Sequence, residues 1–237
     1  MEVYILDIYR SALLKKNDVV LDAGAGIGDF AILASKKVGA DGKVIAVEPH
    51  AQDYQLLKAN IKRNNCSNVI PLNLGLGSAS GQQQMEFKGR SYRFEFDTLA
   101  NVLKKAGTTK QVNFIKMDIE GFETEVIREG SEIIRNADCI AIELHSTKAE
   151  VDKILTDQNF DFVPITKIHM YKQIIKNLIL HPALMLRSYR IMKQRNRHLL
   201  SYTMQGFEYS TNYQFLSGCY IKNSSQRGNS ILRRKAL

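Results

Sequence analysis

Short apolar runs alternate with amphipathic stretches through the first two thirds of the chain. Val19 to Asp22, Lys43 to Glu48, Val69 to Leu74, Val112 to Asp118, Cys139 to Leu144 and Phe160 to Ile165 read as buried strands. Between them, helical spacing predicts helices from Gly28 to about Val38, over Ala51–Asn64 and Asp97–Ala106, from Phe122 to about Arg135, and over Lys148–Gln158. An amphipathic helix is expected over Glu2–Lys16, with Val3, Leu6, Ile8, Ala12, Leu13 and Leu14 for burial and Asn17-Asp18 as its end. The glycine-containing stretch from Gly75 to about Phe96 reads as loop or hairpin. Strands alternating with helices of this length indicate a parallel α/β sheet covered on both faces.

After Ile165 the rhythm changes. Ile168–Leu200 reads as two amphipathic helices parted near His181-Pro182, because proline is tolerated in a first turn but not in a helix interior. Tyr213–Lys222 reads as a last strand, and Ser224–Leu237 as a polar, basic, frayed tail. The expected units are a core over 1–165, a basic helical insertion over 166–210, a strand returning to the core over 211–223, and a flexible tail over 224–237.

Charge sharpens that division. Residues 1–164 carry 20 Lys/Arg against 23 Asp/Glu, whereas residues 165–237 carry 13 Lys/Arg against the single acid Glu208. So basic a segment is expected to meet something anionic: lipid headgroups, nucleic acid or an acidic substrate. Bulky runs such as Leu178-Ile179-Leu180 beside cations suit a membrane surface over 166–200. RNA is less well served, since few aromatics (Tyr171, Tyr189, Tyr202) are available for stacking. A lid over an acceptor site, or plain packing with a solvated face, is the further alternative.

Other classes are excluded by what is missing. Cys66, Cys139 and Cys219 never form C-x-x-C, which argues for free thiols in a reducing compartment. Glu2 and Asp7 stand where a secretory leader would be basic, and the most apolar uncharged run, Asn177–Leu186, is interrupted by Pro182. A cytoplasmic chain, peripheral at the inner membrane surface, is therefore expected. P-loop, H-E-x-x-H, G-x-S-x-G and N-P-P-Y patterns are absent.

The chemistry concentrates at strand ends. The first strand runs into Asp22-Ala-Gly24-Ala-Gly26-Ile-Gly28, glycines that let backbone approach a ligand ahead of a helix N-terminus. Here an acid leads the loop, which would repel a pyrophosphate and welcome a cationic amino-acid group. Glu48 closes the second strand 20 residues beyond Gly28, where a carboxylate can accept bonds from both ribose hydroxyls; Pro49 keeps it extended.

These features resemble class I S-adenosylmethionine (SAM) methyltransferases, Rossmann-like folds with a seven-stranded, mostly parallel sheet. Ile115-Lys116-Met117-Asp118-Ile119-Glu120-Gly121-Phe122-Glu123, then Val126-Ile127-Arg128-Glu129-Gly130, resembles the hallmark of the FkbM family. Phe96-Asp97-Thr98-Leu99 and Ile142-Glu143-Leu144-His145 extend the likeness, over roughly residues 17–146. The first loop departs from the family, with Gly26 where an asparagine is usual. The resemblance implies methyl transfer from SAM to a hydroxyl of a sugar, glycolipid or natural product.

Ligands of open α/β sheets bind at the carboxyl edge, which groups Asp118, Glu120 and His145 with the glycine loop. Asp118 is a candidate to pair with the ammonium of SAM, orient an acceptor hydroxyl or take its proton. Asp118 and Glu120 together are candidates for a divalent cation, and His145 is the alternative base. Asp118–Glu120 also reads as a capping pair for the next helix, and Asp97 as the N-cap of the helix it precedes. Lys116, inside a buried strand, requires a partner. The expectation from all of this is an O-methyltransferase; the alternatives are a non-catalytic adaptor at a membrane or RNA, and an RNA methyltransferase.

Overall fold

In the computed structural model, which describes residues 7–87, 90–183, 185–186 and 215–223, the apolar runs line up in one sheet. Its strands are β1 (Val19–Ala23), β2 (Lys43–Val47), β3 (Val69–Leu72), β7 (Phe114–Met117), β8 (Cys139–His145), β9 (Phe160–Pro164) and β10 (Phe215–Lys222). They lie in the order β3-β2-β1-β7-β8-β10-β9. β10 alone runs against its neighbours. The helices are α1 (Asp29–Val38), α2 (Ala51–Arg63), α3 (Leu99–Lys105), α4 (Glu123–Glu129), α5 (Ser131–Ile134), α6 (Lys148–Asp157) and α7 (Lys167–Leu180).

Two-residue alternation splits the core into two layers. Val19, Leu21, Ile45, Ile115, Met117, Ile140 and Ile142 face α3, α4 and α6, meeting Leu99, Val126, Ile127 and Leu155. Val20, Val44, Phe114, Ala141 and Cys219 face α1, α2 and the N-terminal segment, in one cluster with Phe30, Ala34, Val38, Leu57, Tyr9 and Leu13. All three cysteines are buried free thiols.

The stretch read as loop or hairpin is a second, three-stranded sheet. β5 (Gly81–Phe87) and β6 (Arg90–Asp97) form an antiparallel hairpin, and β4 (Gly75–Leu76) runs parallel to β6. Its aromatic residues pack over the carboxyl edge of the main sheet.

Three expectations are corrected. Asp7–Lys16 is not helical beyond a single 3-10 turn at Ser11–Leu13. Asp7 and Arg10 both sit in the left-handed region, at φ 51°, and the Asp7 carboxylate takes the Ser11 N–H at 2.6 Å. Side-chain capping of this kind competes with a helix; Glu2–Leu6 lies outside the described residues. The helix expected to run to Arg135 breaks at Gly130, where a Cβ would stand 2.7 Å from Leu99 Cδ2 and 3.1 Å from the Val126 carbonyl oxygen. Asp97 is not the cap of α3: Thr98 is, its hydroxyl accepting the Asn101 N–H. The second helix and tail expected beyond His181 lie largely outside the described residues.

Asp97 instead closes the junction between the two sheets. Its carboxylate accepts from Ser80 Oγ at 2.5 Å, the Thr98 N–H at 2.9 Å, Asn101 Nδ2 at 2.8 Å and Lys105 Nζ at 2.7 Å. Burial raises its pKa, but these donors outweigh burial and hold it well below the usual carboxylate range. The folded form therefore prefers the ion. That stabilisation is complete above the unfolded value of ~3.9 and is lost as pH falls toward the lower folded value. Asp97→Ala is expected to cost about 2–3 kcal/mol in urea unfolding at neutral pH, and the difference from wild type is expected to shrink in acid.

Candidate active site

The site begins where β1 stops. Gly24 has φ 73°, and a Cβ there would stand 1.8 Å from the Asp118 carbonyl oxygen. Only glycine lets the β1 turn lie against the end of β7 this closely. Gly26, at φ 54°, has no atom within 4 Å of a built Cβ, and its N–H donates to Glu48 Oε2 at 2.7 Å. Gly28 does something else. Its Cβ would meet Leu57 Cδ1 at 2.6 Å, so it seats α1 against α2 and does not line the cleft.

Glu48, just beyond β2, is nearly buried, and its second oxygen accepts the His50 N–H at 2.8 Å. Burial pushes its carboxyl up and the two N–H donors pull it back, leaving it above the ordinary value. Each oxygen accepts one bond and keeps capacity for another. Glu48 lines a cleft of about 250 Å³ together with Gly24, Gly26, His50, Asp118 and Glu120. The opposite wall is apolar: Leu76, Met85, Phe94 and Phe96 come from the small sheet, and Ile119 and Phe122 from beyond β7.

Asp22 was expected to offer its charge to a ligand. It is wholly buried behind the loop and does not line the cleft. Strand register places it directly opposite Lys116, with Ala46 and Ala141 as small neighbours on either side. Lys116 Nζ lies 3.4 Å from Asp22 and 3.8 Å from Asp118, and also donates to the Ala23 and Gly24 carbonyls. Burial would lower the lysine pKa, but Asp22 and Asp118 outweigh burial and raise it, so the ammonium persists. Of the two acids paired with Lys116, Asp118 is the one that lines the cleft. Its Oδ2 accepts from Tyr9 Oη at 3.0 Å, and burial beside Asp118 and Glu143 raises the phenol's pKa well above its usual value.

His145 ends β8, mostly buried and set against two acids that line the cleft. Its Nε2 is 4.0 Å from Asp118 Oδ1 and 3.6 Å from Glu120 Oε2. Glu120 at φ 55° and Gly121 at φ 103° turn the chain back after Ile119. A left-handed glutamate costs about 1–2 kcal/mol, and this turn brings its side chain toward His145. The structure thus joins Asp118, Glu120 and His145, with one ligand atom from each inside a 4.8 Å span.

Behind His145 stands Glu123, which closes the Ile115–Glu123 run and to which sequence reasoning assigns no role. It is fully buried and bonds His145 Nδ1 at 2.8 Å, Thr147 Oγ1 at 2.9 Å and the Gly121 N–H at 2.9 Å. Burial alone would raise its pKa; the bonds outweigh that and lower it, so Glu123 is ionised and Nδ1 carries the shared proton. His145 is pulled down by burial but raised overall by its bond to Glu123 and by the charges of Glu123, Asp118 and Glu120. No local signal ties Glu123 to His145, which lies 22 residues away on another element. The Tyr92-Arg-Phe94-Glu-Phe96 alternation was the available signal for the aromatic wall.

A seven-stranded sheet with one antiparallel strand, a glycine loop after β1 and an acid after β2 defines the Rossmann-like class I methyltransferase fold. The chain belongs to the FkbM methyltransferase family, whose domain is matched over residues 22–163. Hexuronic acid methyltransferase AglP of Haloferax volcanii is 27% identical over 178 residues, covering 69% of this chain and 72% of that protein. Methyltransferase sdnD of Sordaria araneosa is 26% identical over 208 residues, covering 68% of this chain and 80% of its own. The crystal structure of methyltransferase FkbM from Methylobacillus flagellatus shares the fold, with a TM-score of 0.50 at 22% identity over 65% of this chain and 42% of that one. The protein is a methyltransferase.

Lys116 is the test of the buried network. Lys116→Met strands Asp22 as an uncompensated buried charge and is expected to cost about 3–5 kcal/mol in urea unfolding. Adding Asp22→Asn is expected to restore much of that loss, because the orphaned charge is gone.

Proposed function

We propose that the protein transfers a methyl group from SAM to a hydroxyl oxygen of a sugar or related metabolite. The observation that carries this reading is the convergence of the Gly26 loop, Glu48 and Asp118 on one cleft, with the Glu123–His145 pair set against the lining acids Asp118 and Glu120. The residues fit the cofactor. Open space beside Gly26 admits close backbone approach, and Glu48 retains acceptor capacity for ribose hydroxyls. The apolar wall of Leu76, Phe94 and Phe96 suits a base, and a cleft lined by Glu48, Asp53, Asp118 and Glu120 suits a cationic cofactor. Asp22 and Gly28 support this cradle from behind. A hydroxylated sugar acceptor is supported by the relative AglP, which is named a hexuronic acid methyltransferase.

When bound, SAM supplies a methyl already activated on a cationic sulfur. The protein's own work is to align, to exclude water and to remove the acceptor's proton. Glu123 fixes the tautomer of His145, so Nε2 is the atom that takes that proton. Asp118, held by Tyr9 and Lys116, orients the hydroxyl. Because His145 must be neutral to act and its pKa is raised, kcat/KM is expected to climb with pH through a midpoint above the ordinary ~6.5. Glu123→Gln removes the charge that raises it. The midpoint is expected to fall and the rate to drop about 10–100-fold; an unmoved midpoint would remove His145 as the base.

A second reading uses the same three groups. Asp118, Glu120 and His145 could hold a divalent cation, given their 4.8 Å span. Activity lost on EDTA dialysis and restored by Mg²⁺ or Mn²⁺ assigns the cation; unchanged activity leaves the base.

Calorimetric titration tests the cofactor. SAM and S-adenosylhomocysteine are expected to bind and NAD not to. Gly26→Ala is expected to weaken SAM about tenfold while the fold survives, since only its positive φ is strained. No binding of SAM by wild type would favour the non-catalytic adaptor.

A further inference from the structure

Helix α7 carries an apolar stripe that the methyl-transfer site does not use. Met170, Ile174 and Asn177 face inward, and Met170 and Ile174 join Ile165, Met185 and Ile8 in a small core. On the other side Ile168, Tyr171, Ile175, Leu178 and Ile179 recur at helical spacing and are 66%, 43%, 57%, 52% and 72% exposed. Single exposed apolar residues are ordinary; a continuous stripe of five marks a contact surface.

We infer that this face docks on an anionic lipid surface, an inference independent of the reaction proposed above. Charge selects the occupant. α7 contains Lys167, Lys172 and Lys176 and no acid, and residues 165–237 hold 13 Lys/Arg against one Glu. A bilayer interface takes bulky aliphatic side chains into the acyl boundary and Lys/Arg at the headgroups in one plane. Nucleic acid would meet the cations but has no use for isoleucines, which do not stack on bases. A second copy would bring two strongly cationic segments together. Among the described residues no helix is long and apolar enough to cross a membrane, so α7 lies along the surface.

The docked helix is tied to the cleft. Arg10 donates to His169 Nδ1 of α7 at 2.8 Å and to the Pro164 carbonyl at 3.3 Å, while its neighbour Tyr9 reaches Asp118 at 3.0 Å. Two adjacent residues thus tie this helix to Asp118 in the cleft.

Vesicle co-sedimentation of the full chain tests this. Wild type is expected to partition onto equimolar phosphatidylcholine–phosphatidylglycerol vesicles, weakly onto phosphatidylcholine alone, and less at high salt. Ile175→Asp/Ile179→Asp and, separately, Lys172→Glu/Lys176→Glu are expected to weaken partition about tenfold or more. An unchanged circular-dichroism melt shows that each variant remains folded, and the charge variant keeps the inference testable should the apolar one unfold. Equal partition of wild type and variants, or none by wild type, overturns it. So does binding of structured RNA without vesicles, or a dimer in solution that Ile175→Asp/Ile179→Asp dissolves.

Discussion

A single buried ammonium organises the centre of this molecule. Lys116 sits mid-sheet, opposite Asp22 in register and within 4 Å of Asp118. A charge in such a place survives only when paired, and its partners reach in two directions. Asp22 anchors the strand that launches the glycine loop; Asp118 faces the cleft. Lys116 also bonds the carbonyls of Ala23 and Gly24, so the loop's first turn hangs on the same nitrogen. Loop geometry and the electrostatics of Asp118 are therefore parts of one arrangement.

Around it the site is layered by burial. The innermost groups, Asp22, Lys116 and Glu123, are nearly or wholly sealed from water and set protonation and tautomer. Glu48, nearly buried, and the half-buried Asp118 line the cleft. Glu120 is the most open of the group, and His145, mostly buried, stands against it. Acids and bases whose environments push their pKa values apart occur side by side here, as in sites that move protons. Tyr9 and Arg10 extend the network to α7, joining the interior to a cationic, apolar surface.

Much of the fold was legible because parallel strands covered on both faces must be apolar runs, and the chain alternates these with helices. The glycine loop and Glu48 were legible for the same reason: each lies at a strand end, where ligands bind in such sheets. Three things were not. Asp22 reads as a ligand-facing acid because its neutralising lysine is 94 residues away in sequence and adjacent only through strand register. Glu123 carries no role in the sequence reading because His145, 22 residues on, approaches it only after β8 is placed. The N-terminal segment has helical spacing, but local capping by Asp7 and the distant bond of Arg10 to His169 override that periodicity.

The most direct test is to follow the methyl group. With methyl-labelled SAM and a panel of hexuronates and other hydroxylated sugars, the label is expected to appear as an O-methyl ether, located by mass spectrometry, and to vanish from the product with His145→Ala. Label on nitrogen or carbon, or no transfer to any hydroxyl despite tight SAM binding, would contradict the proposed chemistry.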